Sequence, residues 1–216
     1  GYYDQRPRFS WQFSQLTPIV LQTAYQIQVS SSDDFSTKYI IWDSAKVVSS
    51  KNAWVKYGGV KLSSRQKVYW RVKIWDENDK SSYWSEVNYL EMGLVDTDDW
   101  QASWIGHPYN GERDVDTIHF ATVKGGKFPA PNNVYYRPQY LRTTFNVHQT
   151  LEKARLYITS KGVFKPFING KAVSKDVMTP GWTPYHKRIE TLSYDVTSQI
   201  KQGQNALAAI VAEGWH

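Results

Sequence analysis

The chain has 216 residues and a mass of 25.0 kDa, enough for one large or two ordinary domains that each bury a core. It contains no cysteine, which excludes disulfides, thiolate metal sites and a cysteine nucleophile, and it has no run of about eighteen apolar residues that would cross a membrane as a helix. The formal charge of +6 lies wholly in the second part: residues 1–99 carry 12 Lys/Arg and 12 Asp/Glu, and residues 100–216 carry 14 and 8. These lysines are scattered, so the pattern reads as a solvated surface rather than a nucleic-acid track, and it leaves an acidic glycan open as a charged partner.

In chain order, the start GYYDQRPRFSW lacks the basic and apolar regions of a signal peptide. Strand-like alternation begins at Phe9, Trp11 and Phe13 and returns at Tyr25, Ile27 and Val29. It is clearest at Val68, Trp70, Val72 and Ile74, with Tyr69, Arg71, Lys73 and Trp75 on the opposite face. Turn-rich pieces separate these segments at Ser30 to Ser36, Ser49 to Asn52 and Gly58-Gly59, the short spacing of an all-β sandwich.

The segment Leu62 to Ser85 resembles the last two strands of a fibronectin type III domain: a Leu, a long strand, the polar hairpin Asp76 to Lys80 and a Ser-x-x-Ser return. Val68 stands where that pattern places its corner tyrosine, and alternation sends Tyr69 to the other face. Asp96 to Gly106 reads as a junction in which Asp98 or Asp99 caps a short turn. Trp100 and Trp104, four apart, would share one face of that turn and wedge between domains.

A loop rich in Gly, Pro and Asn follows from Pro108 to Pro138. Its Gly125-Gly126-Lys127 lacks the remainder of a phosphate-binding loop, and its Asp114 and Asp116 read as a solvated hairpin or as oxygen donors to calcium. A second domain is expected from Gln139, with alternating Leu141, Thr143, Phe145 and Val147, strands at Leu156 to Ile158 and Phe164 to Ile168, and a tight Asn169-Gly170 hairpin. Asp195 to Ile200 reads as a capped turn and Asn205 to Ala212 as a last buried strand, after which Gly214, Trp215 and His216 read as a cut through a domain.

The motifs FSW, AYQIQVSSS, WDSAKVVSS, YWRVKIWDENDKSSYWS, YLEMGL, DWQASWIG, YLRTTFNV, ARLYITSKGVFKPFINGK, TPGWTPYHKR and YDVTSQIKQGQNALAAIVAEGW stand in order along nearly the whole chain. In that order they resemble the N-terminal region of bacterial α-L-rhamnosidases of glycoside hydrolase family 78. The resemblance implies an all-β chain: a fibronectin type III-like sandwich over 1–95, a junction and loop over 96–138, and a jelly-roll-like β-sandwich over 139–216 that is incomplete. It implies no catalytic residue here, because the family's (α/α)6 barrel with its acidic residues lies further along the polypeptide. In the complete enzyme, terminal α-L-rhamnose would be hydrolysed with inversion.

The expected partners are that catalytic barrel and a rhamnose-containing oligo- or polysaccharide, with no membrane and no nucleic acid. No cofactor is required; calcium remains open because some relatives hold rhamnose and calcium on such a sandwich. The absence of cysteine suits the cytoplasm or the periplasm, and a periplasmic or secreted location is favoured. A different class of function, a stand-alone carbohydrate-binding or adhesion module, also fits sandwiches of this kind.

The candidate carbohydrate-binding residues are Trp182, Tyr185, His186, Asn169 and Asp176. A Trp face covers sugar C–H groups while Tyr and His tips take hydroxyls. The alternative for Trp182 is core packing under the Pro180-Gly181 bend, and for Asp176 a turn in which the carboxylate takes its own backbone amide. The five histidines show no zinc-ligand spacing and no Gly-x-Ser-x-Gly occurs, so neither a zinc site nor an acyl-transfer serine is expected.

Overall fold

The computed structural model describes residues 2–13, 21–106 and 138–214. Asp114, Asp116, the Gly125-Gly126-Lys127 triplet and the terminal Trp215-His216 lie outside them. The chain divides into two compact units, Gly1–Ala102 and Ser103–His216, and the division falls within the interval read as junction and loop.

The first unit contains β1 (Arg8–Phe9), β2 (Ala24–Ser30), β3 (Ile40–Asp43), β4 (Val47–Val48), β5 (Val55–Lys56), β6 (Lys67–Trp75) and β7 (Asn88–Glu91). One antiparallel sheet runs β3-β2-β6-β7, with β4 also paired to β2, and a small second sheet pairs β1 with β5. The strand alternation sets the layers. Tyr25, Ile27 and Val29 of β2 and Val68, Val72 and Ile74 of β6 face inward and meet Phe9, Val55, Tyr57 and Leu62. The inward Trp70 ring lies 4.8 Å from Phe9.

Val68 is fully buried, while Tyr69 is on the outer face with its ring 6.5 Å from Tyr89, so the fold holds no tyrosine at the corner position. At the start of the chain only β1 is regular. Trp11 is held by its indole N–H donating to Gln22 Oε1 at 3.0 Å, and Phe13 is exposed.

The Ser-x-x-Ser return works differently from a paired strand. Ser82 Oγ accepts from the Ile74 amide at 3.1 Å and Ser85 Oγ accepts from the Val72 amide at 3.1 Å, so side-chain oxygens stand where a neighbouring strand's carbonyls would. Regular pairing resumes only at β7. Trp84 is thereby laid between the Arg71 guanidinium and the Lys73 ammonium, each 4.5 Å from its ring.

The turn after this sheet covers Thr97–Asp99, with Asp96 before it and the Asp99 carboxylate accepting the Asp96 amide at 3.3 Å. It is too short to carry Trp100 and Trp104 on one face. Trp100 closes it, and residues 101–106 have no regular structure. Asp99 is tied to Ser64 by a hydrogen bond and lies 3.7 Å from Arg65, which holds this segment to the first unit.

The second unit contains β8 (Gln139–Val147), β9 (Arg155–Ile158), β10 (Val163–Ile168), β11 (Lys171–Ala172), β12 (Leu192–Asp195) and β13 (Gly203–Ala212). Its larger sheet is antiparallel in the order β11-β10-β13-β8, and β12 pairs with β9. Asn169 (φ 51°) and Gly170 (φ 81°) form the two-residue turn between Ile168 and Lys171, as an Asn-Gly pair between strands favours. Thr197–Gln199 forms the short turn, with Asp195 Oδ1 accepting the Thr197 amide at 3.0 Å.

The last strand departs from expectation: Asn205 is buried, but Ala206–Ala212 are half-buried along their length. Both units are all-β, as the alternation requires. No helix among the described residues is long and apolar enough to cross a membrane.

Candidate functional site

Trp182, Tyr185 and His186 share one loop, residues 179–190, and four fastenings hold it. Thr179 is buried and pairs with Phe164 of β10: the Phe164 amide donates to the Thr179 carbonyl at 2.8 Å, and Thr179 Oγ1 donates to the Phe164 carbonyl at 2.5 Å. Thr183, also buried, donates through Oγ1 to the Arg188 carbonyl at 2.7 Å. The Tyr185 hydroxyl accepts the Gly162 amide at 3.1 Å, and the Glu190 carbonyl accepts Thr159 Oγ1 at 2.6 Å. The Pro184 carbonyl takes the Lys187 and Arg188 amides at 2.8 and 3.0 Å, which closes the turn.

On this frame Trp182 is 67% exposed, so it is not core under the Pro180-Gly181 bend, and His186 is exposed as well. Tyr185 is half-buried and its hydroxyl serves the frame. Asp176 precedes the loop. Its carboxylate accepts the Tyr194 hydroxyl at 3.1 Å, and its amide donates to Ser174 Oγ at 3.1 Å. Burial first, and the Asp176 carboxylate with it, pushes the Tyr194 hydroxyl above its ordinary pKa against the opposing hydrogen bond with Ser174.

Asn169 stands apart. It lies at the far end of β10 from Gly162, about 20 Å along a six-residue strand. Its amide works inside the fold: Nδ2 donates to the Gln199 carbonyl at 3.0 Å and to Asn205 Oδ1 at 2.9 Å, and Oδ1 accepts the Ala206 amide at 2.9 Å. The structure therefore brings Trp182, Tyr185 and His186 onto one loop, keeps Asp176 beside Tyr194, and gives Asn169 to a hairpin anchor. The residues that sequence reasoning passed over are Thr179 and Thr183, which hold the loop. Their only signal is the repeated Thr-Pro of TPGWTP.

The fold perturbs three described carboxyls, all downward. At Asp34 hydrogen bonding from the Ser36 amide leads. Burial pushes Asp43 up but is outweighed by hydrogen bonds from Gln28, Gln26 and the Ala45 amide, and Asp195 is held down by Thr197 and then Arg155. Such groups suit ionised structural roles; a general acid needs the opposite shift. Among the described residues no three Asp, Glu or His side chains gather into a metal site; Asp114 and Asp116, the calcium donors read from the sequence, lie outside those residues.

Two family models match: "Rha78A-like, N-terminal immunoglobulin domain" over residues 1–96 and "Alpha-L-rhamnosidase N-terminal domain" over residues 149–216. An α-L-rhamnosidase of Formosa agariphila is 47% identical over 217 residues, covering 100% of this chain and 22% of its own length. The solved α-L-rhamnosidase of Dictyoglumus thermophilum superposes with a TM-score of 0.84 at 33% identity, over 100% of this chain and 24% of its own.

The Streptomyces avermitilis enzyme, solved with L-rhamnose, has a TM-score of 0.83 at 23% identity and covers 100% of this chain and 35% of its own; it supports the fold alone. The sequence alignment with an α-L-rhamnosidase of that organism extends over 357 residues, so well over a hundred aligned positions have no counterpart in this 216-residue chain.

Fold, motif order and matches define a class first: paired antiparallel β-sandwiches of a glycoside hydrolase's N-terminal region, the first of immunoglobulin type. The chain belongs to the α-L-rhamnosidase family as its N-terminal region. It spans about a fifth of the length of the Formosa relative.

Proposed function

We propose that residues 1–216 are a non-bond-cleaving part of a polypeptide that hydrolyses terminal α-L-rhamnose from a glycan with inversion, and that they position its catalytic region. The observation that carries this reading is the match to the Formosa enzyme, which runs through both sandwiches with 217 aligned residues against 216 and accounts for 22% of that relative.

The test is hydrolysis of an aryl α-L-rhamnoside by the full-length polypeptide and by the 216-residue chain. Turnover is expected from the first only, and hydrolysis above background by the second overturns the reading. A second reading, favoured by the exposure of Trp182 on a pinned loop, is that this loop holds a neutral sugar or a rhamnose-bearing acidic glycan, with His186 taking a hydroxyl. Titration with L-rhamnose, with and without calcium, should then quench Trp fluorescence in the wild type and not in Trp182→Ala. The absence of any difference between the two removes this reading and leaves the positioning role.

A further inference from the structure

The run Val177 to Thr183 inverts the usual arrangement of a surface loop. Its hydroxyl residues face inward: Thr179 and Thr183 are buried, each donating to a backbone carbonyl. Its large apolar residues face solvent, with Val177 78%, Met178 56% and Trp182 67% exposed. Single exposed apolar side chains need no explanation, but three within the six residues 177–182, which lead into and open one fastened loop, do. Met178 also sits at φ 57°, a left-handed conformation that costs a non-glycine residue about 1 kcal/mol or more and persists only where surrounding bonds enforce it. The fold thus holds Met178 out against both hydration and backbone preference, and Val177 and Trp182 against hydration.

We propose that this loop is a docking surface covered by the remainder of the chain's own polypeptide, with Trp182 and Met178 as its anchors. The inference rests on the reading of residues 1–216 as the N-terminal part of a longer enzyme. In the Formosa relative the matched region is 22% of the polypeptide, so most of that protein lies outside it and is available to cover an apolar loop. The chemistry favours protein over sugar as the occupant. Within Val177 to Thr183 the Val177 and Met178 side chains offer no hydrogen bond to a hydroxyl-rich ligand, the two threonine hydroxyls are engaged inside the fold, and Trp and Met are side chains enriched at the cores of protein interfaces.

The chain's two methionines provide the test, because Met92 is 1% exposed and serves as a buried reference inside the same polypeptide. Native full-length protein is treated briefly with dilute hydrogen peroxide, without sugar and with millimolar L-rhamnose, and sulfoxide formation at each methionine is read by peptide mass spectrometry. A urea-unfolded sample supplies the accessible rate. If the remainder of the polypeptide covers the loop, Met178 oxidises within about threefold of Met92 in both native samples.

A Met178 rate about tenfold or more above that of Met92, unchanged by rhamnose, overturns the proposal. A fast rate that slows only with rhamnose also overturns it and assigns the loop to sugar. Rhamnosidase activity of the same sample is scored separately, so failure of the docking surface and failure of the family function are distinguishable.

Discussion

The Asn205 side chain is the strongest single test of how the second unit is held together. It is 2% exposed and makes four hydrogen bonds: Nδ2 donates to the Lys201 carbonyl at 2.7 Å and the Gly203 carbonyl at 2.9 Å, and Oδ1 accepts the Lys201 amide at 3.0 Å and Asn169 Nδ2 at 2.9 Å. One side chain thus closes the turn into β13 and ties it to the hairpin after β10, 36 residues away in sequence.

Asn205→Ala removes all four bonds. At about 1 kcal/mol net for each, the upper figure is about 4 kcal/mol; water at exposed Lys201 and Gly203 recovers part of it, leaving about 3 kcal/mol. With an m-value of about 1.5 kcal/mol/M in urea, the midpoint of the transition that includes this unit falls by about 2 M. Asn205→Asp should cost more at neutral pH, because it keeps the acceptor but sets carboxylate oxygen against two carbonyls. Equilibrium urea unfolding followed by far-ultraviolet circular dichroism measures both. A loss under about 1 kcal/mol for Asn205→Ala, or an Asp variant more stable than the Ala variant, refutes the reasoning.

Two further substitutions probe the same unit. A Cβ at Gly162 would lie 2.2 Å from the Ala212 carbonyl oxygen at φ +85°, whereas one at Gly170 meets nothing within 4 Å at φ +81°. Gly170→Ala should therefore cost only the left-handed strain of about 1 kcal/mol, and Gly162→Ala about 3 kcal/mol or more, with equal losses in urea unfolding contradicting the close approach. The Asp195 carboxyl has its pKa lowered by hydrogen bonding from Thr197 and by Arg155, so its stabilisation is fully present above the unfolded value of 3.8 and is lost as pH falls through the lower folded value. The stability gap between wild type and Asp195→Asn should narrow through that acid window in unfolding curves; a gap independent of pH excludes the linkage.

The parts of this fold that were legible from sequence are those fixed by nearest-neighbour chemistry. Alternation in Lys67–Trp75 sorted Val68, Val72 and Ile74 from Tyr69, Arg71 and Lys73 because the two sides of a strand differ by one residue. Asn169-Gly170 declared a turn because both positions need positive φ. What escaped was long-range. Trp100 and Trp104 look like one helical face, but the turn ends at Asp99, where Asp99 is drawn to Ser64 and Arg65 some thirty-five residues back. Asn169 has the donor set of a sugar ligand, and only the register of β10 on β13, which brings Asn205 and Ala206 beside it, turns that set inward.

Trp182 shows why the candidate site was half legible. Residue type alone admits both a core ring and an exposed platform, and the choice depends on which neighbours take the interior. Here they are Thr179 and Thr183, whose hydroxyls find carbonyl partners at Phe164 and Arg188 and thereby occupy the inward positions of the loop. With Tyr185 fixed to Gly162 and Gly162 pressed against the end of β13, the loop cannot turn over to bury the indole without breaking those bonds. Exposure of the ring is therefore a consequence of the fold's hydrogen bonding rather than of a loose segment, and this makes an external occupant, rather than local collapse, the route by which that apolar surface leaves water.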